Sequence, residues 1–180
     1  DALASAAARA AADAAVEQVL VCTPDKDLSQ SVVGDRIVQF DRRQRIVRDE
    51  AGVIEKFGVP PASIPDWLAL VGDSADGFPG IPGWGPKSAS VVLAHYHHLE
   101  TIPPDAAAWS VPVRGAARLA QALAAQREEA LLFRQLATLR HDAPVFDLVE
   151  ELRWLGPTAA FESVADQLGA PELWTRAQAK

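Results

Sequence analysis

Gly72-Asp73-Ser74-Ala75-Asp76-Gly77-Phe78-Pro79-Gly80-Ile81-Pro82-Gly83-Trp84-Gly85-Pro86-Lys87-Ser88-Ala89 is the stretch whose reading decides the fold. Glycines at 72, 77, 80, 83 and 85 alternate with prolines at 79, 82 and 86, the densest turn region of the chain. Gly80, Gly83 and Gly85 permit tight turns and close backbone approach, and Pro86 suits a first helical position. The amides of such a loop, with the N-terminus of the next helix, can hold a phosphate, and Lys87 adds a point charge at the same place. This reads as the hairpin of a helix-hairpin-helix, which grips the nucleic-acid backbone without reading bases. The competing reading, a plain connection between two helices, needs neither three glycines at this spacing nor a lysine.

Upstream of the hairpin the chain reads as α/β. Residues 2–15 are nearly all alanine and predict a helix, with Asp1 placed to cap it. Val19-Leu20-Val21-Cys22 is short and β-branched, which predicts a buried strand in a parallel sheet. Residues 36–40 and 45–48 read as two strands of a hairpin. Asp49 can cap a helix over 50–57 that Gly58 stops, and a short helix from Pro65 to Val71 should bury Trp67, Leu68 and Leu70. Downstream everything reads as helix: from Ser88, over 113–126, over 127–140, and from Pro157 to Leu168 with Gly169 as the stop. The expected division is 1–76 for a partial α/β core and 77–180 for a helical domain. No internal repeat is visible.

Four carboxylates flank the decisive stretch. Asp25 and Asp27 follow the first strand, where open α/β sheets gather ligands. Asp73 and Asp76, three apart, would share a face on a helical turn. With no obvious basic partners nearby in sequence, the set suggests hard-cation binding through oxygen. On spacing alone a second reading stays open, in which Asp25 and Asp76 cap turns while Asp27 and Asp73 are solvated.

Composition narrows the class. The 180 residues are 49% hydrophobic and 23% charged, enough for a core and unlike a disordered chain. No apolar run approaches the roughly 20 residues of a membrane span, and no signal peptide is visible. Cys22, alone of its kind, excludes a disulfide scaffold and favours a reducing compartment. The net charge of −7 does not advertise a simple basic-patch nucleic-acid binder. The chain has no methionine and opens on Asp1, so an upstream part is expected.

Together, Thr23-Pro24-Asp25-Lys26-Asp27-Leu28 and the Gly72–Ala89 run resemble the 5′ nuclease superfamily: flap endonucleases, phage 5′ exonucleases and the N-terminal nuclease domain of bacterial DNA polymerase I. Glu55-Lys56-Phe57-Gly58-Val59-Pro60-Pro61 through Asp66-Trp67-Leu68-Ala69-Leu70 is similar as well, and the likeness runs in order through most of residues 1–140. The closest flavour is a bacterial stand-alone 5′–3′ exonuclease from a GC-rich genome.

The resemblance implies the C-terminal portion of a PIN-like, resolvase-like α/β nuclease core plus a helical domain of helix-three-turn-helix type. It implies a metal-dependent phosphodiesterase acting on DNA flaps, nicks and junctions, with RNA–DNA hybrid as a further substrate. Asp25, Asp27, Asp73 and Asp76 match the family's acidic cluster, and Asp1 matches the last acid of a motif otherwise absent. Two Mg2+ or Mn2+ ions, ~4 Å apart, would activate water and stabilise the leaving oxygen. Lys26, Gly80, Gly83, Gly85, Lys87, Ser88 and, more weakly, Arg114 match DNA-contacting positions. A potassium ion held by backbone carbonyls of Ile81 and Gly83 is implied at the hairpin. The family's first strands, further acids, arch and phosphate-engaging basic residues are not in this sequence, so residues 1–180 alone are expected not to cleave. The expected setting is a monomer in the bacterial cytoplasm, associated with the nucleoid rather than a membrane, and joined to the upstream half of the same protein.

Other residues are read more plainly. His95 and His98 are spaced for a metal pair but lack a third ligand, which favours a solvent-facing or helix-end role. Arg42, Arg43, Arg45 and Arg48 either touch phosphate or guard an edge hairpin. Cys22 is expected to be an inert core thiol, and the tryptophans other than Trp84 mostly core. Two alternatives to the nuclease stand: a non-catalytic DNA-backbone-binding module, and an unrelated magnesium phosphohydrolase, against which the Gly80–Lys87 run counts.

Overall fold

The computed structural model describes residues 1–178. The chain divides into two compact units, Asp1–Val145 and Phe146–Lys180.

The first unit begins with α1, Ala2–Ala11. It ends before residue 15 because the Asp13 side chain takes the Ala15 amide into a local turn and the Arg36 guanidinium collects the carbonyls of Ala11, Asp13 and Glu17. Small residues line its inner face. Ala4 and Ala7 lie against Val21, Leu28 and Ile37 in a compact cluster. β1, Val19–Val21, pairs in parallel with β2, Ile37–Asp41, which pairs antiparallel with β3, Ile46–Arg48, in the order β1-β2-β3. β1 is an edge strand covered on one face. Val21 is buried, whereas Leu20 and Cys22 are exposed, so the expectation of a strand buried on both faces, with Cys22 a core thiol, does not hold.

α2, Glu50–Phe57, has the caps its sequence announces: Asp49 accepts from the Gly52 amide, and Gly58 terminates the helix at φ +71°. α3, Ile64–Val71, is the central helix, buried from Ile64 to Leu70. It packs between α4, Pro86–Tyr96, and α6, Arg127–Ala137, with α5, Ala116–Ala125, closing the far side. Leu68, Leu70, Val92, Leu93, Leu99, Leu119 and Leu123 form the larger core. Asp66 is the polar exception on α3. Its carboxylate accepts from the Leu99 amide (3.1 Å), pairs with His98 Nδ1 (3.0 Å) and faces Arg134 on α6. His98, just past the end of α4, is exposed and pairs with this buried acid, and His95 is exposed as well, in keeping with the solvent-facing or helix-end reading.

After α6 the chain returns to the sheet. Gln30 donates to the Ala137 carbonyl and accepts from the Leu139 amide, and Ser5 donates to the Arg140 carbonyl. The architecture is thus a small α/β part first and helices afterwards, the fold class expected from the sequence.

The second unit contains α7, Ala160–Gln167, and α8, Glu172–Gln178, the latter not anticipated. Phe161 and Trp174 bring their rings together across the two helices. Trp154 is 72% exposed and Leu155 86%, so the expectation that the tryptophans are core fails at Trp154. Among the described residues no helix is long and apolar enough to cross a membrane.

Candidate metal centre and nucleic-acid interface

The loop after β1 carries Asp25, Lys26 and Asp27, and residues Asp27–Ser31 form a 3-10 turn. Its position is fixed by Gln39, fully buried in the middle of β2. The Gln39 amide donates to the carbonyls of Thr23 and Asp25 and accepts from the Ser29 hydroxyl. One side chain therefore brackets the loop on both sides of Asp27. Nothing in the local sequence marks Gln39, because its partners lie ten to sixteen residues away.

Asp73 and Asp76 sit on a tight hairpin rather than on the helical turn expected. The amides and carbonyls of Asp73 and Phe78 pair reciprocally (2.9 and 3.1 Å), and Asp73 Oδ1 accepts from the Ala75 amide. Gly72 ends α3 at φ +88°, a conformation that removes Asp73 from the helix.

Folding brings Asp27, Asp73 and Asp76 together, with one carboxylate oxygen from each within 4.8 Å of the others. Asp27 is 8% exposed, and its Oδ1 is buried without a hydrogen-bond partner. Burial, and then the charges of Asp25, Asp76 and Asp73, push the Asp27 carboxyl up to about 7. An orphaned buried oxygen among converging carboxylates suits a hard divalent cation bound through oxygen. Asp25 is exposed, accepts from the Asp27 amide, and contributes to this field. Asp1 is not among the three grouped carboxylates; its Oδ1 accepts from the Arg140 amide. The expectation that the acids lack basic partners is corrected at Asp73, whose Oδ2 lies 2.6 Å from Lys26 Nζ.

The same segment continues into the hairpin between α3 and α4. Gly72 and Gly80 meet backbone to backbone. A Cβ on Gly80 would lie 2.5 Å from the Gly72 nitrogen, and one on Gly72 would lie 2.5 Å from the Pro79 carbonyl. Trp84 is buried beneath the hairpin, donates from Nε1 to the Leu119 carbonyl and tilts against Trp109. The Ile81 carbonyl accepts from the Trp84 amide, and Gly83 follows at φ +85°. Gly85 caps α4, and the Ser88 hydroxyl is engaged with the amide and carbonyl of Gly85. Gly83, Gly85, Lys87, Ser88 and Arg114 line one open groove of about 640 Å³, so two of the three basic residues matched by sequence, Lys87 and Arg114, share it. Arg118, in the first turn of α5, lies over Gly83 and was not anticipated. Arg42, Arg43 and Arg45 are exposed at the turn between β2 and β3.

Solved structures share this fold. A T5 5′-exonuclease with bound divalent metal ions (zinc) matches with a TM-score of 0.60 over 75% of this chain and 48% of that one, at 18% identity. A bacteriophage T5 flap endonuclease in complex with DNA and metal ions matches with a TM-score of 0.56 over 73% of this chain and 48% of that one, at 19% identity. The fold is that of the 5′ exonucleases. The family described as 5′–3′ exonuclease, C-terminal SAM fold, matches residues 59–160, more than half of the chain, and the chain belongs to that family. The DNA polymerase I of Pseudomonas aeruginosa is 38% identical over 148 residues, 77% of this chain and 15% of the polymerase. A 5′-3′ exonuclease of Aquifex aeolicus is 45% identical over 85 residues, 47% of this chain and 29% of that protein. The chain spans less than half the length of these relatives.

Proposed function

We propose that the chain is the C-terminal part of a structure-specific 5′–3′ exonuclease or flap endonuclease that hydrolyses DNA phosphodiesters in replication and repair. The single observation that carries this reading is the Gly72–Gly80 contact, which joins the carboxylate turn directly to the hairpin. Asp27, Asp73 and Asp76, with Asp25 at their edge, would hold Mg2+ or Mn2+. When bound, such ions activate water and stabilise the leaving oxygen of a phosphodiester. Residues 1–76 supply carboxylates, and residues 77–180 supply the grip. Lys87, Arg114 and the amides of Gly83 and Gly85 would hold a phosphate, with Ser88 supporting the loop as its cap. Lys26, on the rim of the carboxylate group, would meet the strand near the ions. Carbonyls of Ile81 and Gly83 would hold a potassium ion. The partners would be flapped, nicked or junction DNA, RNA–DNA hybrid and the upstream half of the protein. The setting would be a monomer in the bacterial cytoplasm.

The test is cleavage of a 5′-flap substrate with Mn2+ by the full-length protein and by residues 1–180 alone. The full-length protein should cleave, Asp25→Ala and Asp76→Ala should lower turnover at least ~100-fold with binding largely kept, and the 180-residue chain should bind without cleaving. Wild-type turnover in both variants would refute the metal assignment. A full-length protein that binds but never cleaves would instead identify a non-catalytic backbone-binding module.

A further inference from the structure

We infer that Lys26 is a tethered counter-ion of the carboxylate group, and that a divalent cation loads there by displacing the Lys26 ammonium from Asp73. The inference rests on the metal-centre reading above and deepens it. Asp73 has two carboxylate oxygens. Oδ1 is committed to the Ala75 amide at 3.0 Å, and Oδ2 is held by Lys26 Nζ at 2.6 Å. The Asp73 side chain is only 3% exposed, so it cannot turn to water. The Lys26 side chain is 35% exposed, so its ammonium can leave while the carboxylate stays.

Next to this pair, Asp27 Oδ1 is buried with no hydrogen-bond partner. The ammonium therefore neutralises one member of a crowded acidic group and leaves its neighbour unsatisfied. Lys26 cannot diffuse away, since it is joined by peptide bonds to Asp25 and Asp27, and its effective concentration at Asp73 is high. An ammonium and a divalent ion held at the same Oδ2 would lie within a few ångströms and repel one another, so binding of one disfavours binding of the other. Exchange of the ammonium for a monovalent ion gains no charge, whereas a divalent ion gains one. Lys26 thereby sets both the strength and the valence selectivity of the centre, and its released ammonium becomes available to a phosphate of the bound strand.

The test is direct Mn2+ binding to the full-length protein without DNA, read from the electron paramagnetic resonance of free Mn2+. Lys26→Met should bind Mn2+ at least about five-fold more tightly than wild type. Lys26→Gln, which keeps a neutral donor to Asp73 and guards against misfolding of the first variant, should shift the same way. Lys26→Arg, which keeps the charge, should match wild type. The metal-free Met variant should melt lower than wild type and gain more from Mn2+. Unchanged or weaker binding in both neutral variants overturns the inference. If wild type shows no Mn2+ binding that Asp76→Ala removes, the metal-centre reading fails instead.

Discussion

At the residue scale, the chemistry of the centre turns on Asp27. Its carboxyl in the folded protein is pushed from 3.8 up to about 7, chiefly by burial and then by three neighbouring acids. A raised folded-state value means that the fold favours the protonated acid. Its contribution to stability is complete below about pH 4 and is lost as pH rises through about 7. Melting temperature in EDTA should therefore fall across that interval, and added Mg2+ should raise it most above pH 7, where the carboxylate is ionised. Asp27→Asn should flatten the metal-free profile; an Asn variant that keeps the wild-type slope would assign it elsewhere. Gln39 supplies a second prediction. Gln39→Leu leaves the Ser29 hydroxyl and two carbonyls without their partner and should cost about 3 kcal/mol by urea denaturation, with Mn2+ affinity falling alongside. The two aspartate pairs were legible in the sequence because the spacing within each pair is local, whereas the meeting of Asp27 with Asp73 and Asp76 is made only by the fold. Gln39 and the Lys26–Asp73 pair were not, because the first bridges distant loops and the second joins residues 26 and 73 across the fold.

At the scale of elements, legibility followed the caps. Asp49 and Gly58 bound α2 in the sequence and in the structure alike, and Gly85 and Pro86 do the same for the start of α4. Elsewhere the sequence misled: α1 stops early under the distant reach of Arg36, and the Asp73–Asp76 turn is a hairpin because the neighbouring Gly72 leaves the helical conformation. Gly80→Ala tests the junction of turn and hairpin. A methyl at φ +73° facing the Gly72 nitrogen should cost at least ~2 kcal/mol in denaturant melts, and should weaken Mn2+ and DNA binding together. Loss of only one function would show the two parts to be independent. Lys87→Ala and Arg118→Ala should each reduce the salt dependence of DNA binding by about one unit of log-log slope, equally for unrelated base sequences. A sequence-selective loss would contradict backbone gripping at this groove.

At the scale of the whole molecule, the order of α/β and helical parts was legible because residue composition changes abruptly at Gly72. The second unit was read less well: α8 went unread although Pro171, just before it, is the kind of start that Pro86 gives α4. Between Thr138 and Ala159 the described chain has no α-helix and exposes Leu148, Trp154 and Leu155. Limited trypsin digestion should cut first in this stretch, at Arg140 or Arg153, and leave a resistant product that retains the carboxylates and the hairpin, identifiable by mass. Early cleavage at Lys87 in α4 or at Arg134 in α6 would contradict that partition. The abutting main chains of Gly72 and Gly80 have one more consequence. No rotamer intervenes between the two backbones, so the separation of the Asp73–Asp76 turn from the hairpin loop is written in peptide geometry. Drift in the surrounding side chains leaves that ruler unchanged, and under the function proposed above a strand seated on one end would be presented to the other in a constant register.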